Sequence, residues 1–76
     1  MSYRFTVIFE PDEGGFHAFV PALPGCHSFG ATLEEAHMNI VEAVELHVES
    51  MAEDGEQVTT EPEPFFISRL SIPSAA

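Results

Sequence analysis

The feature that most limits what this chain can become is a change of rhythm at Thr32. Before it, apolar residues alternate; after it, they recur every third or fourth position. In the run from Met1 to Glu10, Tyr3, Phe5, Val7 and Phe9 fall on one side and Arg4, Thr6, Ile8 and Glu10 on the other. That period of two belongs to a strand. Pro11 to Gly15 (PDEGG) is turn chemistry, because its glycines accept positive φ without cost. Gly15 to Ala22 resumes the alternation, with Phe16, Ala18 and Val20 set against His17 and Phe19. Two alternating runs around a Gly-rich loop predict a hairpin. Leu23-Pro24-Gly25 turns the chain again, and Cys26 to Ala31 leaves room for a short third strand.

At Thr32 the sequence Thr-x-x-Glu, Thr32 to Glu35, forms a capping box. The Thr hydroxyl accepts an early helix N–H and the Glu reaches back to the Thr N–H. Glu34 and Glu35 also suit the positive end of a helix dipole. At 100° per residue, Leu33, Ala36, His37, Ile40, Val41, Val44, His47, Val48 and Met51 share one arc of roughly 140°. Glu34, Glu35, Glu42, Glu45, Glu49 and Glu53 occupy the other side, and Gly55 is a natural stop. Glu56 to Pro64 is polar with two prolines and reads as a connection, whereas Phe65 to Ile72 (FFISRLSI) reads as a last strand. The expected architecture is a single α+β domain over residues 1–76, ordered β-β-β-α-β. Its strands are expected at about 3–10, 15–22, 26–31 and 65–72, and its helix at about 33–54.

The strands carry apolar residues in both phases: Phe5, Val7 and Phe9 on one, Ile8, Phe19 and Phe29 on the other. One helix covers only one face of a sheet, so the second face calls for a partner. The expectation is a homodimer or homotetramer with Ile8, Phe19 and Phe29 at its interface.

Charge narrows the class of partner. The chain has 76 residues, 13 of them acidic and only 2 basic, for a net charge of −11. Such a surface repels nucleic acid and anionic membranes and attracts basic partners over a long range. Direct nucleic-acid binding and membrane association are therefore not expected. The single cysteine, Cys26, excludes an intramolecular disulfide. No segment reaches the ~18 apolar residues of a membrane span and no signal peptide opens the chain, so a cytoplasmic protein is expected.

The stretch LPGCHSFGATLEEA, residues 23–36, offers three chemical readings, and each weakens on inspection. Cys26 and His27 are adjacent, but neighbours in a strand point to opposite faces, so they form no nucleophile–base pair. Gly25 to Gly30 lacks the Gly-Lys-Ser/Thr ending of a phosphate loop. The histidines stand at 17, 27, 37 and 47. On a helix His37 and His47 lie about 80° and three turns apart, too far for one ion, and His17 with His27 would supply only two ligands. Asp12-Glu13 and Glu53-Asp54 read as solvated charge. No catalytic residue, cofactor or metal site is expected.

Taken together, Phe19-Val20-Pro21-Ala22-Leu23-Pro24-Gly25-Cys26, Gly30-Ala31-Thr32-Leu33-Glu34-Glu35-Ala36, Asn39-Ile40 and Glu42-Ala43 resemble the HicB antitoxin family. So does the aromatic-rich start that ends in Asp12-Glu13-Gly14-Gly15-Phe16; the likeness covers roughly residues 3 to 54. The resemblance implies a partial ribonuclease-H-like fold with the last strand beside the first. It also implies an antitoxin that binds a small basic mRNA-cleaving toxin of the HicA type and masks its active-site histidine. Many members of that family continue into a DNA-binding domain; here only five residues follow Ser71, so autonomous repression is not expected. Nuclease chemistry is not implied either, because Glu10, Asp12 and Glu13 do not make a clustered carboxylate site. The toxin-facing residues expected are Glu34, Glu42, Glu45 and Glu49. The alternative is a stand-alone homo-oligomeric HicB-like domain with a ligand-binding or regulatory role and no toxin.

Overall fold

A computed structural model of the chain describes residues 3–58 and 66–74. Three strands, β1 (Ile8–Asp12), β2 (Gly15–Phe19) and β3 (His27–Gly30), precede one long helix, α1 (Leu33–Glu53). The strands form an antiparallel sheet in the order β1-β2-β3, with Ile8 opposite Phe19 and Phe19 opposite His27. The α+β class and the order of these four elements follow the alternation and the helical period.

Each connection has a local cause. Glu13 and Gly14 sit between β1 and β2 with φ of 41° and 81°, as the tight two-residue hairpin turns require. The sequence assigned that freedom to Gly14 and Gly15, but Gly15 does not have positive φ. Gly15 is small for another reason: a Cβ there would stand 2.5 Å from the Gly30 carbonyl oxygen and from Phe29 Cζ. Leu23 to Cys26 forms a turn in which the Cys26 N–H donates to the Leu23 carbonyl at 3.0 Å. Pro24 and Gly25 occupy its centre, and the Gly25 φ of 84° marks it as type II. The Val20 N–H donates to the Cys26 carbonyl at 3.1 Å and closes this loop over Leu23, which is 2% exposed.

Thr32 caps the helix as expected, its backbone extended and its Oγ1 accepting from the Glu35 N–H at 3.1 Å. At the far end the Glu56 N–H donates to the Met51 carbonyl and the Gly55 N–H to the Ala52 carbonyl, at 2.8 and 3.2 Å. With Gly55 at φ 75° this pairing is a Schellman stop. The Asn39 side-chain amide donates to the Phe29 carbonyl at 2.8 Å and ties the helix to β3.

The core is small: Ala18, Val20, Leu23, Cys26, Ala36 and Ile40 are buried. Phe5, Val7, Phe9, Phe16, Val44, Val48 and Met51 are half-buried around it. Gly30 lets the helix start close above β3, since a Cβ there would lie 2.6 Å from Ala36 Cα.

The first and last strands correct the sequence reading. Pairing in β1 begins at Ile8 rather than Tyr3, because β2 ends opposite it at Phe19. In the segment expected as a strand at 65–72, Phe65 lies outside the described residues. Among the described residues, 66–72 are not part of a strand, and all are exposed. Alternation supplies strand propensity, but a strand exists only where a neighbouring backbone takes up its hydrogen bonds. The helical arc is corrected as well: Leu33, His37 and Val41, placed on its buried side, are exposed. The sheet lies under only part of that arc.

Candidate functional site

Cross-strand pairing decides what the outer face of the sheet displays, because directly paired residues project to the same side. Ile8, Phe19 and His27 make one row across β1, β2 and β3, and Glu10, His17 and Phe29 the next. The three residues expected at an oligomer interface, Ile8, Phe19 and Phe29, therefore share a face. Phe29 is 47% exposed, and Ile8 and Phe19 are half-buried. Among them sits a polar cluster. His17 Nδ1 lies 3.3 Å from Glu10 Oε1, and the His17 ring is 5.7 Å from Phe19 and 5.3 Å from His27. The two strand histidines are thus neighbours, as anticipated. A shallow concavity of about 650 Å³ adjoins them, lined in part by Pro21, Pro24 and Gly25.

Among the described residues no group of three His, Cys, Asp or Glu side chains has the geometry to hold a metal ion. Cys26 points inward, and burial pushes its thiol pKa up, away from a reactive thiolate. His27 beside it is exposed.

The second surface is the outer side of α1. Glu34, Glu42, Glu45 and Glu49 are all exposed, and no lysine or arginine occurs in the helix. Their directions, counted at 100° per residue, fall within about 80° of one another. The sequence reading missed the apolar residues among and beside them: Met38 is 66% and Leu46 61% exposed. Both fall outside the main apolar arc, and a helix-wide periodicity treats such residues as noise. What the surface presents is carboxylates interleaved with apolar side chains.

A third feature lies between residues 3–7 and the helix. Tyr3, Phe5 and Val7 face Val41, Val44 and Val48 across an open groove. Phe9 stacks on His37 at 6.1 Å, and the groove continues past them toward Leu33 and Met38. Among the described residues no helix is long and apolar enough to cross a membrane.

Comparison with known proteins places the chain among relatives of its own size. A UPF0150 protein of Synechocystis sp. is 50% identical over 60 residues, which cover 78% of this chain and 76% of the relative. A UPF0150 protein of Thermoplasma acidophilum is 43% identical over 56 residues, covering 72% of this chain and 81% of that protein. An uncharacterised 14.9 kDa protein of Haemophilus phage HP1 is 41% identical over 54 residues, 71% of this chain but 41% of its own length. Residues 5–70 match the family described as the HicB-like antitoxin of bacterial toxin–antitoxin systems. The expectation drawn from the Pro-Gly-Cys and Gly-x-Thr-x-Glu-Glu-Ala strings therefore stands, and the chain belongs to the HicB-like antitoxin family.

Proposed function

We propose that the protein is the antitoxin of a toxin–antitoxin pair and neutralises a small basic mRNA-cleaving toxin of the HicA type by covering its active site. The observation that carries this reading is the family match over residues 5–70, joined to an exposed helix face with four glutamates and no cation. A toxin that grips RNA phosphates offers a basic surface. Glu34, Glu42, Glu45 and Glu49 would occupy it while residues near the sheet edge cover the catalytic group. Association would be fast and salt-dependent, because charges of opposite sign steer the encounter. The protein acts by binding, with no catalysis of its own.

The test pairs a tagged copy of this protein with a small basic protein encoded beside it. Co-purification, together with slower association of the Glu42→Lys, Glu45→Lys, Glu49→Lys variant, is expected. A triple variant that binds and inhibits like the parent at low salt would remove the helix face from the contact. The second reading, a stand-alone homo-oligomer, draws on Ile8, Phe19 and Phe29 sharing the outer face of the sheet. It predicts that Phe19→Glu lowers the solution mass, and that no neighbouring protein co-purifies.

A further inference from the structure

The outer face of the sheet holds two histidines at the spacing of metal ligands. His17 and His27 stand diagonally across β2 and β3, their ring centres 5.3 Å apart and their planes tilted by 58°. At zinc–nitrogen distances of about 2.0–2.1 Å and a tetrahedral angle, two imidazoles on one ion have ring centres about 5.2 Å apart. The tautomer suits a ligand as well. His17 Nδ1 lies 3.3 Å from Glu10 Oε1, and an ionised carboxylate can only accept, so Nδ1 carries the proton. The neutral ring then keeps its lone pair on Nε2. A carboxylate behind an imidazole is the arrangement that orients histidine ligands of metal ions. Both rings can be reached from outside, since His27 is exposed and the His17 side chain is 31% exposed.

One copy supplies only half a ligand set, because no third His, Cys, Asp or Glu among the described residues joins the pair. The surroundings indicate the source of the other half. Ile8, Phe19 and Phe29 share the face with the two histidines, apolar side chains that a second sheet would cover. A two-fold contact sets the same patch on both sides, so two imidazoles become four. Charge gives the ion a task. Each copy carries −11, and contact through this face brings Glu10 of each toward the other. A divalent ion between them offsets that repulsion.

We infer that His17 and His27 form half of a zinc-type site, completed by the same pair from a second copy, so that the ion joins two sheets face to face. Four neutral imidazoles suit zinc and its transition-metal neighbours, not magnesium or calcium. Glu10 positions His17 and is not a ligand. The inference concerns self-association and goes beyond the antitoxin reading without resting on it.

The test uses the full chain, stripped with a chelator and titrated with zinc. Binding of one ion per two chains is expected, with a doubling of the solution mass by light scattering. One ion per chain, or a mass that zinc leaves unchanged, overturns the shared site. Magnesium should do neither; an equal response to magnesium would show carboxylates holding the ion and overturn the assignment. Cobalt in place of zinc should give the visible absorption of a tetrahedral centre without a thiolate band, and an octahedral spectrum counts against four imidazoles. His17→Gln and His27→Gln should each abolish the mass change, whereas His37→Gln, on the helix, should retain it. Retention in either of the first two removes that residue from the site and overturns the inference. Glu10→Gln should weaken zinc binding about tenfold and leave the tetrahedral cobalt spectrum in place. Toxin enters none of these readouts, so failure here is distinguishable from failure of the antitoxin reading.

Discussion

The two halves of α1 are built alike and packed differently. From Leu33 to Ile40 the helix rests on β2 and β3, with Ala36 and Ile40 buried and Asn39 bonded to the Phe29 carbonyl. From Val41 to Glu53 no side chain is fully buried, although Val44, Val48 and Met51 carry the same apolar period. Length explains the difference. Twenty-one helical residues span about 32 Å, whereas strands of five residues reach only about 17 Å. The helix overshoots its own sheet, and its second half waits over residues 3–7. Amphipathicity thus specifies which side of a helix wants cover but not whether one chain supplies all of it.

The sharpest way to break this comparison is at the tight end. Gly30→Ala would place a Cβ 2.7 Å from the Glu35 carbonyl carbon and 2.6 Å from Ala36 Cα, backbone atoms that cannot step aside. A loss of about 3 kcal/mol or more is expected in urea denaturation; a near-neutral variant would mean that the first half of the helix is not seated as described. Next, Ile40→Ala removes a fully buried side chain and should cost about 3 kcal/mol. Val48→Ala, half-buried in the second half, should cost only about 1 kcal/mol. Equal losses at both sites would erase the distinction between the halves. Thr32→Ala deletes the hydroxyl that accepts from Glu35 N–H and should cost about 1 kcal/mol by the same assay. The smallest effect belongs to Leu46→Glu, on a side chain that is 61% exposed: a change within about 0.5 kcal/mol. A larger loss would reveal a contact on the outer side of the helix.

What the sequence made legible is whatever depends on near neighbours along the chain. The Thr32 cap, the stop at Gly55 and the hairpin between β1 and β2 are all decided within a few residues. The alternation also put Ile8, Phe19 and Phe29 on one face before any register was known. Features that need a distant neighbour were not legible. Gly15 looked like a turn residue, yet it is required by the Phe29 ring lying over it. Tyr3 to Val7 and Phe66 to Ile72 have the residues of strands, but strand formation in a sheet is a property of pairs, and among the described residues neither segment is a strand. The carboxylate face of the helix could be read directly; the apolar islands Met38 and Leu46 could not, because periodicity averages over single residues.

In this fold, order in space repeats order in the chain: β1 pairs with β2, β2 with β3, and α1 docks on β3 after a link of two residues. The kinetic consequence is a body assembled by closing short loops, with little entropy lost before each contact forms. Residues 8–53 should then fold within about milliseconds. A chain still being synthesised would therefore close this body once Glu53 has emerged, without waiting for the residues that follow.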